Sequence, residues 1–147
     1  MKPLSTIMKP PYSLLALSFL LGATTCLTIA EEAEKISFRK TVKPILREKC
    51  AHCHNKKTLP GKVSFESAKQ AFIQTREGQA VIVPGKPDRS LMILALESSV
   101  MHEKTMPQTG QRPTAEEIKT LRKWIAQGAD WPTGLTGRIR PTFYPTE

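Results

Sequence analysis

The stretch SFRKTVKPILREKCAHCH, Ser37 to His54, decides how the rest of the chain reads. Phe38, Val42, Ile45, Leu46 and Cys50 recur at the spacing that lays side chains along one face of a helix. Pro44 has no N–H for an interior helical bond, so the main helix is expected to start there, after a short turn. That helix runs into Cys50-Ala51-His52-Cys53-His54, a C-x-x-C-H sequence. On a helical turn, cysteines three apart lie on one side, where their sulfurs reach the two vinyl groups along one porphyrin edge. The histidine next in line then turns its imidazole under the ring, towards iron. This is the attachment spacing for c-type haem, one per motif.

Other chemistries use cysteines this close. A thioredoxin-like dithiol belongs in a βαβ setting, and no convincing strand alternation is found here. A zinc site on Cys50, Cys53, His52 and His54 would have ligands too close together to close a tetrahedron, with no second C-x-x-C to help. A disulfide between Cys50 and Cys53 closes a short loop and stabilises little.

Working outward to the N-terminus, residues 1–30 read as a signal peptide. Lys2 and Lys9 precede an apolar run, Ser13 to Leu21, then small residues to Ala30. Cleavage is expected after Ala30. Ser13 to Ile29 falls short of the roughly 20 residues that span a bilayer comfortably, which argues against an uncleaved anchor. Cys26 is a poor lipoprotein site, because Ala-Thr-Thr precedes it. The expected compartment is periplasmic or otherwise exported, where covalent haem attachment takes place. Cleavage removes two lysines from a formal charge of +9. The remaining basic surface favours redox partner proteins with acidic surfaces. Export, and basic residues scattered singly, argue against nucleic acid. The Lys56-Lys57 pair beside the motif reads first as a solvated loop.

Towards the C-terminus, three more helices are expected. Ser64 to Thr75 places Phe65, Ala68, Ala71 and Phe72 on one face, with Ser64 as N-cap. Ser90 to Glu97 points Leu91, Leu94 and Ala95 inward, with Asp88 or Ser90 as cap. The last begins with the capping box Thr114–Glu117, carries Ile118, Leu121, Trp124 and Ile125 on one stripe, and stops at Gly128. Ala129 to Glu147, rich in Pro, Gly and Thr, is expected to wrap the surface irregularly. The organisation is residues 1–30 signal peptide, 31–132 an all-α domain, and 133–147 tail. Four short helices with long loops bury little apolar surface for a domain this size. A large apolar group at the centre, such as haem, would make up the shortfall.

The proximal iron ligand is expected to be His54. The distal ligand is expected to be Met106, in a proline-containing loop ahead of the last helix, with Met101 and His102 as alternatives. His102 would give a lower potential than methionine. Met106 could otherwise pack against Trp124. Met92 reads as core, His52 as a filler residue. The Pro60 carbonyl is the candidate partner for the other ring nitrogen of His54. Trp124 is expected against the first helix or the haem edge, and Trp131 likewise in a packing role.

On these residues the chain resembles the planctomycete-type cytochrome c domain. Phe38-x-x-x-Val42-x-Pro44-Ile45-Leu46-x-x-x-Cys50-x-x-Cys53-His54 is similar to its opening. Val83-Pro84-Gly85-x-Pro87-x-x-Ser90-x-Met92 is similar to its central turn and following helix. Met106-Pro107, then Glu117-Ile118-x-x-Leu121-x-x-Trp124-Ile125-x-x-Gly128-Ala129, is similar to its ligand loop and closing helix. The resemblance covers about residues 36 to 132. It implies a class I-like cytochrome c fold, with first and last helices crossing near the haem, and Met106 as distal ligand. Two departures are Gln108, where the family commonly has a second proline, and Asn55 to Lys62, which lacks the usual glycine-rich run. The expected activity is electron transfer through one covalent haem c, with no catalytic residues. The alternatives are a haem enzyme or gas sensor with an opening distal side, and a non-haem Cys/His metal-binding protein.

Overall fold

The computed structural model describes residues 34–99 and 105–142. The expected signal peptide, including Cys26, and the alternative ligands Met101 and His102 lie outside the described residues. Among the described residues the chain is helical and has no strand, only an isolated antiparallel bridge between Gln74 and Ala80.

The first element opens at Ser37, whose hydroxyl accepts from the Lys40 N–H. A π-helical turn, Phe38–Val42, passes directly into helix α1, Lys43–Lys49, with Pro44 in its opening turn. Phe38, Val42, Ile45 and Leu46 are buried, the face that the spacing predicts.

Helix α2 is shorter than its sequence pattern suggests. It covers only Ala68–Ala71, and Ser67 takes the N-cap position expected of Ser64. The reason is local. Ser64 is fully buried, and its hydroxyl accepts from the Glu66 N–H at 3.2 Å, so it holds a bend instead of a helix start. Beyond the helix, Phe72 leaves helical geometry, and the chain turns back through Thr75 and Gln79.

Helix α3, Leu91–Glu97, has Ser90 at its N-cap, but the hydroxyl works behind the helix. It accepts from the Val83 N–H at 2.9 Å and donates to the Lys86 carbonyl at 3.0 Å, fastening the proline-rich turn to the helix start. Leu94 faces solvent rather than inward. The buried positions are Met92, Ile93, Ala95 and Leu96, because α3 is apolar towards both the core and a neighbouring cavity.

Helix α4, Ala115–Ala126, forms as its ends dictate. Thr114 Oγ1 accepts from the Glu117 N–H at 3.2 Å, and Glu117 accepts from the Thr114 N–H at 2.7 Å. Gly128, just past the C-cap, has φ +100°, which an L side chain rarely adopts. The π turn packs against α4, and Arg122 joins α4 to the end of α3 through both Glu97 oxygens, at 3.0 and 2.8 Å.

The segment after α4 does more than wrap the surface. Trp131 and Ile139 are buried, a short helix α5, Gly134–Gly137, follows Trp131, and Ile139 N–H donates to the Glu66 carbonyl at 3.0 Å. Gly137 has to be glycine: a Cβ there would lie 1.6 Å from the Pro132 carbonyl oxygen. Trp131 joins Phe38, Phe72 and Trp124 in an aromatic cluster, with Phe38–Trp131 and Phe38–Trp124 centroids 4.6 and 6.0 Å apart. Both indole N–H groups are satisfied, Trp124 on the Asp130 carbonyl and Trp131 on that of Gly137. Trp124 is 1% exposed at the centre of this cluster. Trp124→Ala is expected to cost about 3–5 kcal/mol, read as a lowered midpoint in chemical denaturation.

Candidate cofactor site

The attachment motif continues the winding of α1. Cys50 and Ala51 N–H groups both reach back to the Leu46 carbonyl, at 3.1 and 2.8 Å, and Cys53 and His54 N–H groups to that of Cys50, at 3.2 and 2.8 Å. Two cysteines and a histidine are thereby turned towards one space. Cys50, Cys53 and His54 line a cavity of about 470 Å³, together with Val63, Phe65, Val81 and Met106. Its walls are mostly apolar, and its size falls within the ~300–1,000 Å³ typical of cofactor pockets. None of the four rings of the aromatic cluster lines it.

Asn55 fixes the turn, a residue the sequence reading passed over. It is fully buried. Its amide donates to the Ala51 and His52 carbonyls at 3.1 and 2.8 Å, and its oxygen accepts from the Lys57 and Thr58 N–H groups at 2.9 and 3.3 Å. All its donor and acceptor atoms are engaged. Asn55→Ala would strand backbone groups on both sides of His54, the buried Ala51 carbonyl among them. It is expected to lower stability by about 1–3 kcal/mol and to reduce the yield of pigment-bearing protein, measured as the ratio of Soret to protein absorbance.

Past the motif, Leu59 and Lys62 adopt φ of +39° and +64°, flanking Gly61 at +61°. Left-handed backbone favours glycine, and here two non-glycine residues adopt it as well.

His54 is held by its neighbours. Its carbonyl accepts from the Phe65 N–H at 2.9 Å, and the Phe65 ring meets the imidazole edge-on at 5.6 Å. Burial pushes the imidazole pKa below its ordinary value, with the Val63 backbone opposing the shift and His52 adding to it. The ring is thus kept neutral, the form that binds iron. Nδ1 is buried and makes no hydrogen bond, so the expected bond to the Pro60 carbonyl is not formed. Pro60 instead lies on the cavity wall. The Cys50 thiol is pushed up to about 12 by burial, then by the proximity of Cys53 and Glu117. Cys50 and Cys53 are not joined to each other.

Met106 reaches the same cavity from a loop suspended on the end of α3. Its N–H donates to the Ala95 carbonyl at 3.0 Å, and Arg112 Nη2 to that of Leu96 at 2.7 Å. These are terminal carbonyls that a helix leaves without internal partners. The Thr105 hydroxyl secures the loop again on the Ser99 carbonyl. Met106 lines the cavity, and Trp124 does not. Met92 also lines the cavity, although its helical position reads as core. His52 does not.

These residues fit a covalent porphyrin. Two unpaired thiols sit beside a neutral imidazole, a thioether lines the same cavity, and the walls are apolar. Among the described residues, no group of three or more His, Cys, Asp or Glu side chains is arranged to hold a metal ion by itself.

The family match gives the same direction. The family model described as planctomycete cytochrome C matches residues 50–110. No curated protein matches the chain. Among solved structures, Kuenenia stuttgartiensis hydrazine synthase is similar at 24% identity and a TM-score of 0.44, over 75% of this chain and 17% of that one. The chain thus spans less than a fifth of that protein's length. The stretch from the first cysteine of the motif through the methionine loop, residues 50–110, is thus what matches the planctomycete cytochrome C family.

Proposed function

We propose that this protein is an exported electron carrier with one haem c, joined to Cys50 and Cys53 by thioether bonds and ligated by His54 and Met106. The observation that carries this reading is that all four side chains line one apolar cavity. Haem supplies a one-electron ferric/ferrous couple, and a methionine opposite histidine sets it at higher potential than a second histidine would. The protein residues hold and insulate. Cys50 and Cys53 fix the porphyrin edge, Asn55 keeps the motif turn closed, and Val63, Phe65, Val81 and Leu91 exclude water. The cytochrome c-like arrangement is supported by the first turn packing against the last long helix, α4. Exposed Lys56 and Lys62 follow the motif and suit an acidic redox partner. No helix among the described residues is long and apolar enough to cross a membrane.

The test is expression with haem-attachment machinery, followed by intact mass and a pyridine haemochrome spectrum. One haem added to the polypeptide mass, with the spectrum of two saturated vinyl groups, is the expected result. A mass equal to the bare chain refutes the reading and returns the cysteines to a non-haem role. Carbon monoxide binding to the ferrous wild-type protein would replace the carrier by a haem enzyme or gas sensor.

A further inference from the structure

The turn Thr75-Arg76-Glu77-Gly78-Gln79 forms part of the cavity rim, with Thr75, Glu77 and Gln79 on its wall. Its backbone is well closed. Thr75 N–H donates to the Gln79 carbonyl at 2.9 Å, Gly78 N–H to that of Thr75 at 3.0 Å, and Val81 N–H to that of Ile73 at 2.9 Å. The Gln74–Ala80 bridge lies between them. Within this ordered turn, the Thr75 hydroxyl is buried and makes no hydrogen bond.

A buried hydroxyl without a partner is uncommon and points to something missing. Thr75 lines the same cavity as Cys50, Cys53 and His54. Val63, Phe65, Val81 and Leu91 on this wall offer no side-chain acceptor, and the Thr75 hydroxyl bonds to none of the polar wall residues Glu77, Gln79, Gln108 and Thr109. Arg112 Nη1 is a second buried donor without a partner, but Arg112 is not on the cavity wall.

The group that the cavity would hold carries two strong acceptors. A porphyrin's propionate carboxylates project from the edge opposite its vinyl groups, so they lie away from the thioether bonds. An ionised carboxylate only accepts hydrogen bonds, and an O–H donor to it makes a short, charge-assisted bond. We infer that Thr75 Oγ1 donates to a haem propionate, making the 75–79 turn the clamp for the porphyrin edge that the cysteines do not hold. This rests on the haem reading above. Thr75 is a positioning residue, with no part in the attachment chemistry.

The test uses haem-loaded full-length protein. In the ferrous, diamagnetic form, nuclear Overhauser cross-peaks are expected between the Thr75 γ-methyl and propionate methylene protons. Thr75→Val keeps the shape and removes the O–H, so the resonance Raman propionate-bending band is expected to shift. Thr75→Ser, which keeps the donor, should restore its position. A wild-type spectrum lacking the cross-peak overturns the assignment and needs no variant to fold. So does a bending band that coincides in wild type and Thr75→Val. Colourless protein would refute the haem reading itself, whereas coloured protein without the cross-peak refutes only the clamp.

Discussion

Replacing Cys50 and Cys53 together with serine is expected to abolish covalent pigment. Intact mass should equal the bare polypeptide, and acidified organic solvent should extract any associated haem completely. Serine nearly preserves volume, so the lesion is chemical and not a packing defect. Each single variant retains one thiol at the cavity and should retain pigment through one bond, in lower yield. The loss should also reach stability. The cavity of about 470 Å³ has apolar walls, and without a filling those side chains lose their contacts. Thermal unfolding of the double variant should therefore start lower and be less cooperative than that of the loaded wild type. Covalent haem in the double variant would refute the assignment of both thiols.

The second large effect is expected at Met106. Met106→Ala should eliminate the weak near-infrared sulfur-to-iron band and open the ferrous protein to carbon monoxide. Its reduction potential should fall by well over ~59 mV, the tenfold mark for a one-electron couple. The structure adds a control that the sequence alone does not suggest. Met92 also lines the cavity, so Met92→Ala must retain the band if Met106 is the ligand. Met92 is borne on α3, whereas Met106 lies on a loop hydrogen-bonded to the end of that helix. Loss of the band in Met92→Ala, with its retention in Met106→Ala, would exchange their roles.

What could be read in the sequence was local chemistry. Pro44 and the capping box at Thr114 and Glu117 act within a turn of themselves, and both form as their residue types require. Gly128 likewise ends α4 where its freedom of φ is needed. The C-x-x-C-H spacing is equally self-contained. The features that escaped depend on distant partners or on competition between bonds. Ser64 has the right type for an N-cap but serves Glu66 instead. Leu94 fits an inward stripe only if α3 has one apolar side, and α3 has two. Trp131 and Ile139 follow the last periodic helix, so no periodic pattern marks them as core. Asn55 resembles any loop asparagine until its four bonds are traced. Thr75 carries no sequence signal, since its significance lies in a bond it does not make.

The absence of the aromatic cluster's four rings from the cavity wall has a consequence for biogenesis. Phe38, Phe72, Trp124 and Trp131 meet ring to ring and none of them lines the cavity, although the buried core they share continues into wall residues such as Cys50, Phe65 and Met92. On the function proposed above, these rings would hold the segments of Phe38 and Trp131 together before pigment arrives. The motif would then continue from an anchored stem, helix α1. The rim turn and the methionine loop, whose counterpart is the porphyrin itself, would be last to settle. Maturation on this scheme resembles closing a clasp around a jewel already set on one side, with the setting built first.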